Sequence, residues 1–266
     1  MCNNYSMDEA HKDSMKMSNG VEIPTLGFGT WQVNEGPEAE GAVRVALEAG
    51  YRHIDTARLY GNEWSVGKAV RESGIPREEI FVTTKIWPTD FFDVRGTFDE
   101  GLKRLGFDYV DMYLIHWPIP FQPKAIWQAL EKIYDDKLAR AIGVSNYGTK
   151  ELAKLFEYAR IKPMNNQVRY NPFHHDDELL AYCRDNDIVF TSYSPLNHGY
   201  RLKDPVLVAI AEKYGKTTSQ VCIRWTLQKG TISIPKSTHP GRIKENADVF
   251  NFELSVEDME KINALG

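Results

Sequence analysis

The chain has 266 residues, 42% of them hydrophobic and 26% charged, with a formal net charge of -5 at pH 7. That length holds two average domains or one large barrel, and the composition is that of an ordinary globular protein. The negative balance argues against a nucleic-acid surface, and no apolar run is long enough to span a bilayer.

Residues 1–16 are polar and rich in Met, Asn, Asp and Lys, which predicts a loose tail. They lack the apolar stretch of a signal peptide. Asn4-Tyr5-Ser6 has the form of a glycosylation acceptor, but without a secretion signal it reads as chance. Cys2, Cys183 and Cys222 are too few and too scattered for a disulfide framework or a zinc knuckle. A reduced, cytoplasmic setting is therefore expected, with no metal site. Next comes Asn19-Gly20 between short apolar–polar flanks, a strong hairpin signal.

Short β-rich runs then begin near Leu26, His53, Phe81, Val110, Arg140, Met164, Ile188 and Ile232, and each interval has room for a helix. Leu152, Leu155, Phe156 and Ala159 follow the spacing of an amphipathic helix, as do Leu207, Ile210, Ala211 and Tyr214. Phe98, Leu102 and Leu105 suggest another helix. The last interval holds two, split at Gly215-Lys216-Thr217, with Thr217 or Thr218 capping the second. Ser255 reads as the N-cap of an extra helix to Ala264. Asp258 stands where a capping box would want Glu or Gln.

Eight strand–helix units without a break in composition predict an α/β fold. The expected form is a single (β/α)8 TIM barrel over residues 17–266, with an N-terminal β-hairpin and an extra C-terminal helix. The rival, a doubly wound open sheet, usually places Gly-x-Gly-x-x-Gly after its first strand. Here the run is Gly27-Phe28-Gly29-Thr30-Trp31-Gln32, with no third glycine.

Barrel enzymes keep their chemistry at the C-terminal ends of the strands. The stretch Gly50 to Glu63 puts Asp55 at such an end and Tyr60 on the loop behind it. FVTTK ends at Lys85, and VDMYLIHW delivers His116. These four groups can form a proton-transfer site. A phenol, with a pKa of about 10, is a poor acid near neutrality. An ammonium at ~4 Å, in an effective dielectric of ~20, is worth about 4 kcal/mol. Lys85 is thus expected to draw the Tyr60 pKa down by at most roughly three units, with Asp55 holding Lys85 and damping its effect. Trp31, Trp87 and Trp117 follow strand ends and are expected to wall a substrate site with apolar rings.

Later loops carry binding signals. Ser145-Asn146 and Gln167 offer short polar groups for a planar carboxamide, although ordinary turn chemistry uses the same residues. Lys236, Ser237 and Arg242 form a phosphate-binding set, where barrels often hold phosphate. The only acidic residue near it is Glu245. His174-His175, in a polar loop with Asp176 and Asp177, lacks the further ligands of a metal site and reads as solvated.

GYRHIDTARLYGNE, FVTTKIW, YVDMYLIHWP, RAIGVSNY, TSYSPL and ISIPKSTHPGRIKEN, in this order and spacing, resemble the aldo-keto reductases from about Met17 to the last residue. The resemblance implies reduction of aldehydes and ketones by hydride transfer from NADPH. Tyr60 would be the general acid, with Lys85 and Asp55 as partners, and His116 would hydrogen-bond the substrate carbonyl. Ser145, Asn146 and Gln167 would hold the nicotinamide amide, with Tyr193 stacked on its ring. Gly29, Thr30, Trp31, Asp55, Ser194, Leu196, Lys236, Ser237, Thr238, Arg242 and Asn246 complete the expected cofactor contacts. A small-molecule carbonyl substrate and a monomer are expected.

Departures from the family pattern are Arg169-Tyr170-Asn171-Pro172 after Gln167-Val168 and a short run from Trp117 to Pro123; the sequence stops at Gly266, where the family usually continues with a tail over the pocket. An open, weakly discriminating substrate site follows as an expectation. The alternatives are a non-catalytic nucleotide-binding regulatory subunit on the same fold and a phosphosugar-binding barrel enzyme.

Overall fold

The computed structural model describes residues 13–118 and 123–266. A hairpin comes first, β1 (Ser14–Lys16) antiparallel to β2 (Glu22–Pro24), turning through Asn19-Gly20. Gly20 has φ 86°, a conformation open to glycine and unfavourable for most side chains. The hairpin starts inside the stretch expected to be a tail; residues 1–12 of that stretch lie outside the described residues, as do Cys2 and Asn4.

Eight parallel strands follow: β3 (Phe28–Gly29), β4 (His53–Asp55), β5 (Phe81–Ile86), β6 (Val110–Ile115), β7 (Ala139–Ser145), β8 (Asn165–Arg169), β9 (Val189–Tyr193) and β10 (Ile232–Ile234). Each pairs with its neighbour in sequence. Leu26 bridges Ser233 in parallel, with Gly27 N donating to Ser233 O at 2.8 Å and Ser233 N to Thr25 O at 2.8 Å, and this seam closes the barrel. A side chain at Gly29 would stand 3.0 Å from the Ile234 carbonyl oxygen, so the seam is tight there.

Helices α1 (Pro37–Glu48), α2 (Glu63–Arg71), α3 (Val94–Leu105), α4 (Pro123–Asp135), α5 (Thr149–Phe156) and α6 (Asp177–Asp185) each link one strand to the next. Two, α7 (Pro205–Tyr214) and α8 (Thr218–Gln228), separate β9 from β10, and α9 (Pro240–Ala247) and α10 (Val256–Asn263) follow. Thr217 caps α8 in a box with Gln220. Ser255 caps α10 by accepting from the Asp258 amide. Ala159, expected on a helical stripe, lies in the turn beyond the end of α5.

Both β5 and β6 are buried along their whole length, as parallel strands are when helices cover one face and the barrel interior the other. Inside the barrel, Phe81, Met112, Leu114, Ala141 and Ile232 form one apolar cluster with Met17 and Ile23 of the hairpin region. The hairpin thus plugs the N-terminal end, pinned by Asn19 donating to the Arg140 carbonyl at 2.9 Å. The C-terminal rim is left for loops. Among the described residues no helix is long and apolar enough to cross a membrane.

Candidate active site

Lysine on a strand that is otherwise apolar and wholly buried needs partners, because an isolated buried charge is costly. Lys85 is 1% exposed. Its Nζ donates to Asp55 Oδ1 at 2.6 Å, to the Thr56 carbonyl at 3.0 Å and to the Tyr60 hydroxyl at 3.2 Å. An ammonium has three protons and no lone pair, so each proton has an acceptor. The Tyr60 oxygen therefore accepts from Lys85, and its own proton points elsewhere. Asp55 Oδ2 accepts from Gln167 Nε2 at 2.7 Å, which ties the cluster to β8 across the barrel.

Burial pulls the Lys85 ammonium below its ordinary value, opposed by Asp55. Tyr60 behaves oppositely to the expectation from sequence. Burial raises its pKa well above 10, and Asp55 and Tyr193 push the same way. The reason is the 2.6 Å contact between Lys85 and Asp55: at the phenol their charges largely cancel, and loss of water dominates. Tyr60 is thus a protonated phenol through the neutral range. It is half-buried, with one side facing the rim.

His116 follows β6, its amide bonded to the Ile86 carbonyl at 3.1 Å. The imidazole packs edge-on against Tyr60 at 5.6 Å and Trp87 at 5.1 Å. Burial, then the Lys85 charge, lowers its pKa to about 3, so the ring is neutral. Its Nδ1 is buried without a partner among the described residues. Trp31 lies 4.9 Å from the Tyr60 ring. Trp31 and Trp117 are 41% and 44% exposed, and Trp87 is half-buried. Trp31 and the imidazole thus flank the phenol, with Trp87 packed on the imidazole. Residues 119–122 of the run after Trp117 lie outside the described residues.

The tips of β7 to β9 carry the second group. Asn146 is left-handed, with φ 63°, which asparagine tolerates better than most residues. From there its Nδ2 donates to the His116 carbonyl at 2.9 Å and the Ser145 hydroxyl at 3.1 Å, and its Oδ1 accepts from the Tyr193 hydroxyl at 2.8 Å. Ser145 donates to the Gln167 carbonyl at 2.7 Å. Ser194 is also left-handed, and Leu196 is half-buried behind it.

Beyond β10, Lys236, Thr238 and Arg242 are exposed, and neither cation has an ion-pair partner among the described residues. Ser237 Oγ accepts from the His239 amide at 3.1 Å, ahead of the uncapped start of α9. Asn246, in α9, is 3% exposed, and its side chain has no hydrogen-bond partner among the described residues. This donor set fits a phosphate. Glu245 is turned towards α8, accepting from Thr217 at 2.9 Å.

The matching region agrees with the motifs. Residues 25–266 match the model of the Aldo/keto reductase family. The chain belongs to that family. It is 48% identical to a glyoxal reductase of Bacillus subtilis, over 97% of this chain and 95% of that one. A solved aldo/keto reductase from Brucella melitensis is 45% identical and superposes with a TM-score of 0.90, covering 95% and 99% of the two chains. A Bombyx mori aldo-keto reductase solved in complex with NADP is 36% identical, with a TM-score of 0.89 and coverage of 95% and 92%. This aldo/keto reductase is accordingly an oxidoreductase acting between small carbonyl compounds and alcohols.

Three features of the reductase escape a reading of its sequence. Asn62, fully buried, donates to the Thr30 and Val33 carbonyls at 2.9 Å each and accepts from Thr56 at 2.8 Å. It locks the loop bearing Trp31 to the loop bearing Tyr60. Thr30 adds a bond to the Asp55 carbonyl at 2.9 Å. Arg58, beside Tyr60, pairs with Asp90 at 2.7 Å, tying the same loop to the segment after Trp87. The third departs from expectation. His174 is exposed, but His175 packs against Trp225 and Tyr170 at 5.3 Å and 5.9 Å, so only the first histidine belongs to a solvated loop. A separate cleft at the barrel's other end, lined by Met15, Met17, Leu180 and Phe190 among others, holds none of the groups described above.

Proposed function

We propose that this aldo/keto reductase reduces aldehydes and ketones to alcohols with NADPH, and that Tyr60 is the general acid. The observation that carries the reading is the saturation of Lys85: with its three protons on Asp55, Thr56 and Tyr60, the phenol's proton is left for an acceptor on the open side. When bound, the reduced nicotinamide supplies the hydride. The substrate's carbonyl oxygen would sit between Tyr60 and His116 and take the phenolic proton as negative charge develops on it. Lys85 then holds the phenolate, and Asp55 keeps Lys85 in place. His116 is neutral, so it orients the carbonyl by hydrogen bonding and does not compete as an acid. Trp31, Trp87 and Trp117 supply the apolar wall.

Preference for the phosphorylated cofactor is supported by Lys236 and Arg242 having no ion-pair partner among the described residues, by Ser237 and Asn246 in the same segment, and by Glu245 being held by Thr217. Asn146, Ser145 and Gln167 would receive the nicotinamide amide, with Tyr193 against the ring. Ser194, Leu196 and Thr238 would line the path between, with Gly29 and Thr30 buried at the tip of β3. We take the monomer as the working unit. A regulatory subunit that only binds nucleotide would have no use for a buried Asp55–Lys85 pair beneath a tyrosine. The test is absorbance loss of NADPH mixed with the purified protein and a panel of aldehydes, small dicarbonyls and ketones. Turnover of several compounds by the wild type, absent from Tyr60→Phe, is the expected result. No turnover of any of them would leave the regulatory reading.

A further inference from the structure

Arg169 ends β8, two residues past Gln167 and hence on the same face of the strand. It is in register with Tyr193 of β9. Its Nη2 donates to Asn197 Oδ1 at 2.8 Å, in the turn after β9. A guanidinium has five N–H protons; here one has an acceptor among the described residues, and Nε is shielded from solvent with none. No carboxylate is within ion-pairing distance of it among those residues. A half-buried cation so poorly satisfied is costly unless an anion completes it.

Strand order says where that anion would lie. The carboxamide-binding groups Asn146, Gln167 and Tyr193 stand on β7, β8 and β9, and the phosphate set of Lys236 and Arg242 follows β10. Since β8, β9 and β10 are adjacent, a ligand joining the two groups must cross the tip of β9. There Asn197 holds Arg169, in a turn whose Ser194, Asn197 and His198 all have positive φ, at 50°, 46° and 55°. We infer that Arg169 binds the diphosphate linking the two halves of the dinucleotide, as a planar donor fork suited to phosphate oxygens. The inference rests on the NADPH reading above.

The test titrates the protein's fluorescence with NADPH, NADH and adenosine 2′-phosphate, which has the distal phosphate but no diphosphate. Arg169→Gln, able to keep a bond to Asn197, should weaken NADPH and NADH alike by about ten- to hundredfold and leave adenosine 2′-phosphate unchanged. Arg169→Lys should recover part of the loss, and the variant without the charge should show a shallower salt dependence. Unchanged NADPH and NADH affinity in Arg169→Gln overturns the inference while leaving the NADPH reading intact. An equal loss for adenosine 2′-phosphate overturns it too. So does an Asn197→Ala variant that reproduces the whole loss while Arg169→Lys recovers nothing, since Arg169 would then only hold the turn. A wild type that binds neither dinucleotide removes the NADPH reading and the inference together.

Discussion

Replacing Lys85 by methionine separates what the buried cluster does for the fold from what it does for the reaction. The Lys85 and Asp55 side chains are 0% and 2% exposed. Lys85→Met leaves the Asp55 carboxylate buried with the Gln167 amide still donating to it at 2.7 Å. Breaking a buried pair in this way costs about 3–5 kcal/mol. The stranded carboxyl is pushed to a higher pKa by burial, so the penalty should grow as pH rises above about 4, its ordinary range, and fade in acid. In the same variant Tyr60 loses the donor that would hold its phenolate, and turnover should fall by ~100-fold or more. The double variant Asp55→Asn/Lys85→Met has no stranded charge. It should regain most of the stability and none of the turnover. Urea unfolding at several pH values and initial rates with NADPH measure the two quantities on the same preparations. A double variant as unstable as the single one would mean that packing, not charge, sets the cost. A single variant with wild-type turnover would remove Lys85 from proton transfer.

Tyr60→Phe should keep the fold and NADPH binding but lose turnover by ~100-fold or more; in the wild type the raised Tyr60 pKa should make the reduction rate flat across neutral pH, and a fall beginning near pH 7 would contradict the protonated phenol. Arg242→Ala should weaken NADPH roughly ten- to hundredfold and NADH little, by fluorescence titration; equal losses would assign Arg242 to the adenine or the fold. His53 and His116 are both lowered from 6.5 to about 3, chiefly by burial. The unfolded chain therefore binds protons that the folded one refuses, and stability present above pH 6.5 should be lost as pH falls towards 3. Each histidine contributes about 1.4 kcal/mol per pH unit within that window, and His116→Gln, unfolded in urea between pH 6 and 4, should show a visibly shallower slope than wild type.

The parts legible in the sequence share a cause. A strand with both faces covered reads as an apolar run, so Lys85 in FVTTK and Asp55 in HID stand out against their neighbours. Turn chemistry is equally local: Asn19-Gly20 turns the hairpin as expected, and of the two candidate threonines Thr217 takes the cap, with Gln220 completing the box. The hairpin's first strand starts earlier than its flank in sequence suggests, because Ser14–Lys16 is polar and becomes a strand only by pairing with Glu22–Pro24. His175 was misjudged for a related reason. Nothing nearby in sequence announces Trp225, which supplies its packing.

Loops that face each other across the rim pose a harder problem, and the Tyr60 pKa is its clearest case. Their places at strand ends put Lys85 near Tyr60, and Coulomb attraction alone predicts a more acidic phenol. The sign reverses because a third residue, Asp55, is 2.6 Å from the ammonium, and because dense packing removes the water that would stabilise a phenolate. Neither quantity belongs to any one residue type. The same holds for Asn62 and Arg58. Each is an ordinary polar side chain beside Tyr60 in sequence, and each acts through a partner on another loop: Val33 and Thr30 for the first, Asp90 for the second. A protonated phenol is also the state a reductase needs, since a group already ionised has no proton to give. On the proposed reading Lys85 would act after the proton has left, when the phenolate's charge has to be held in a site with little water.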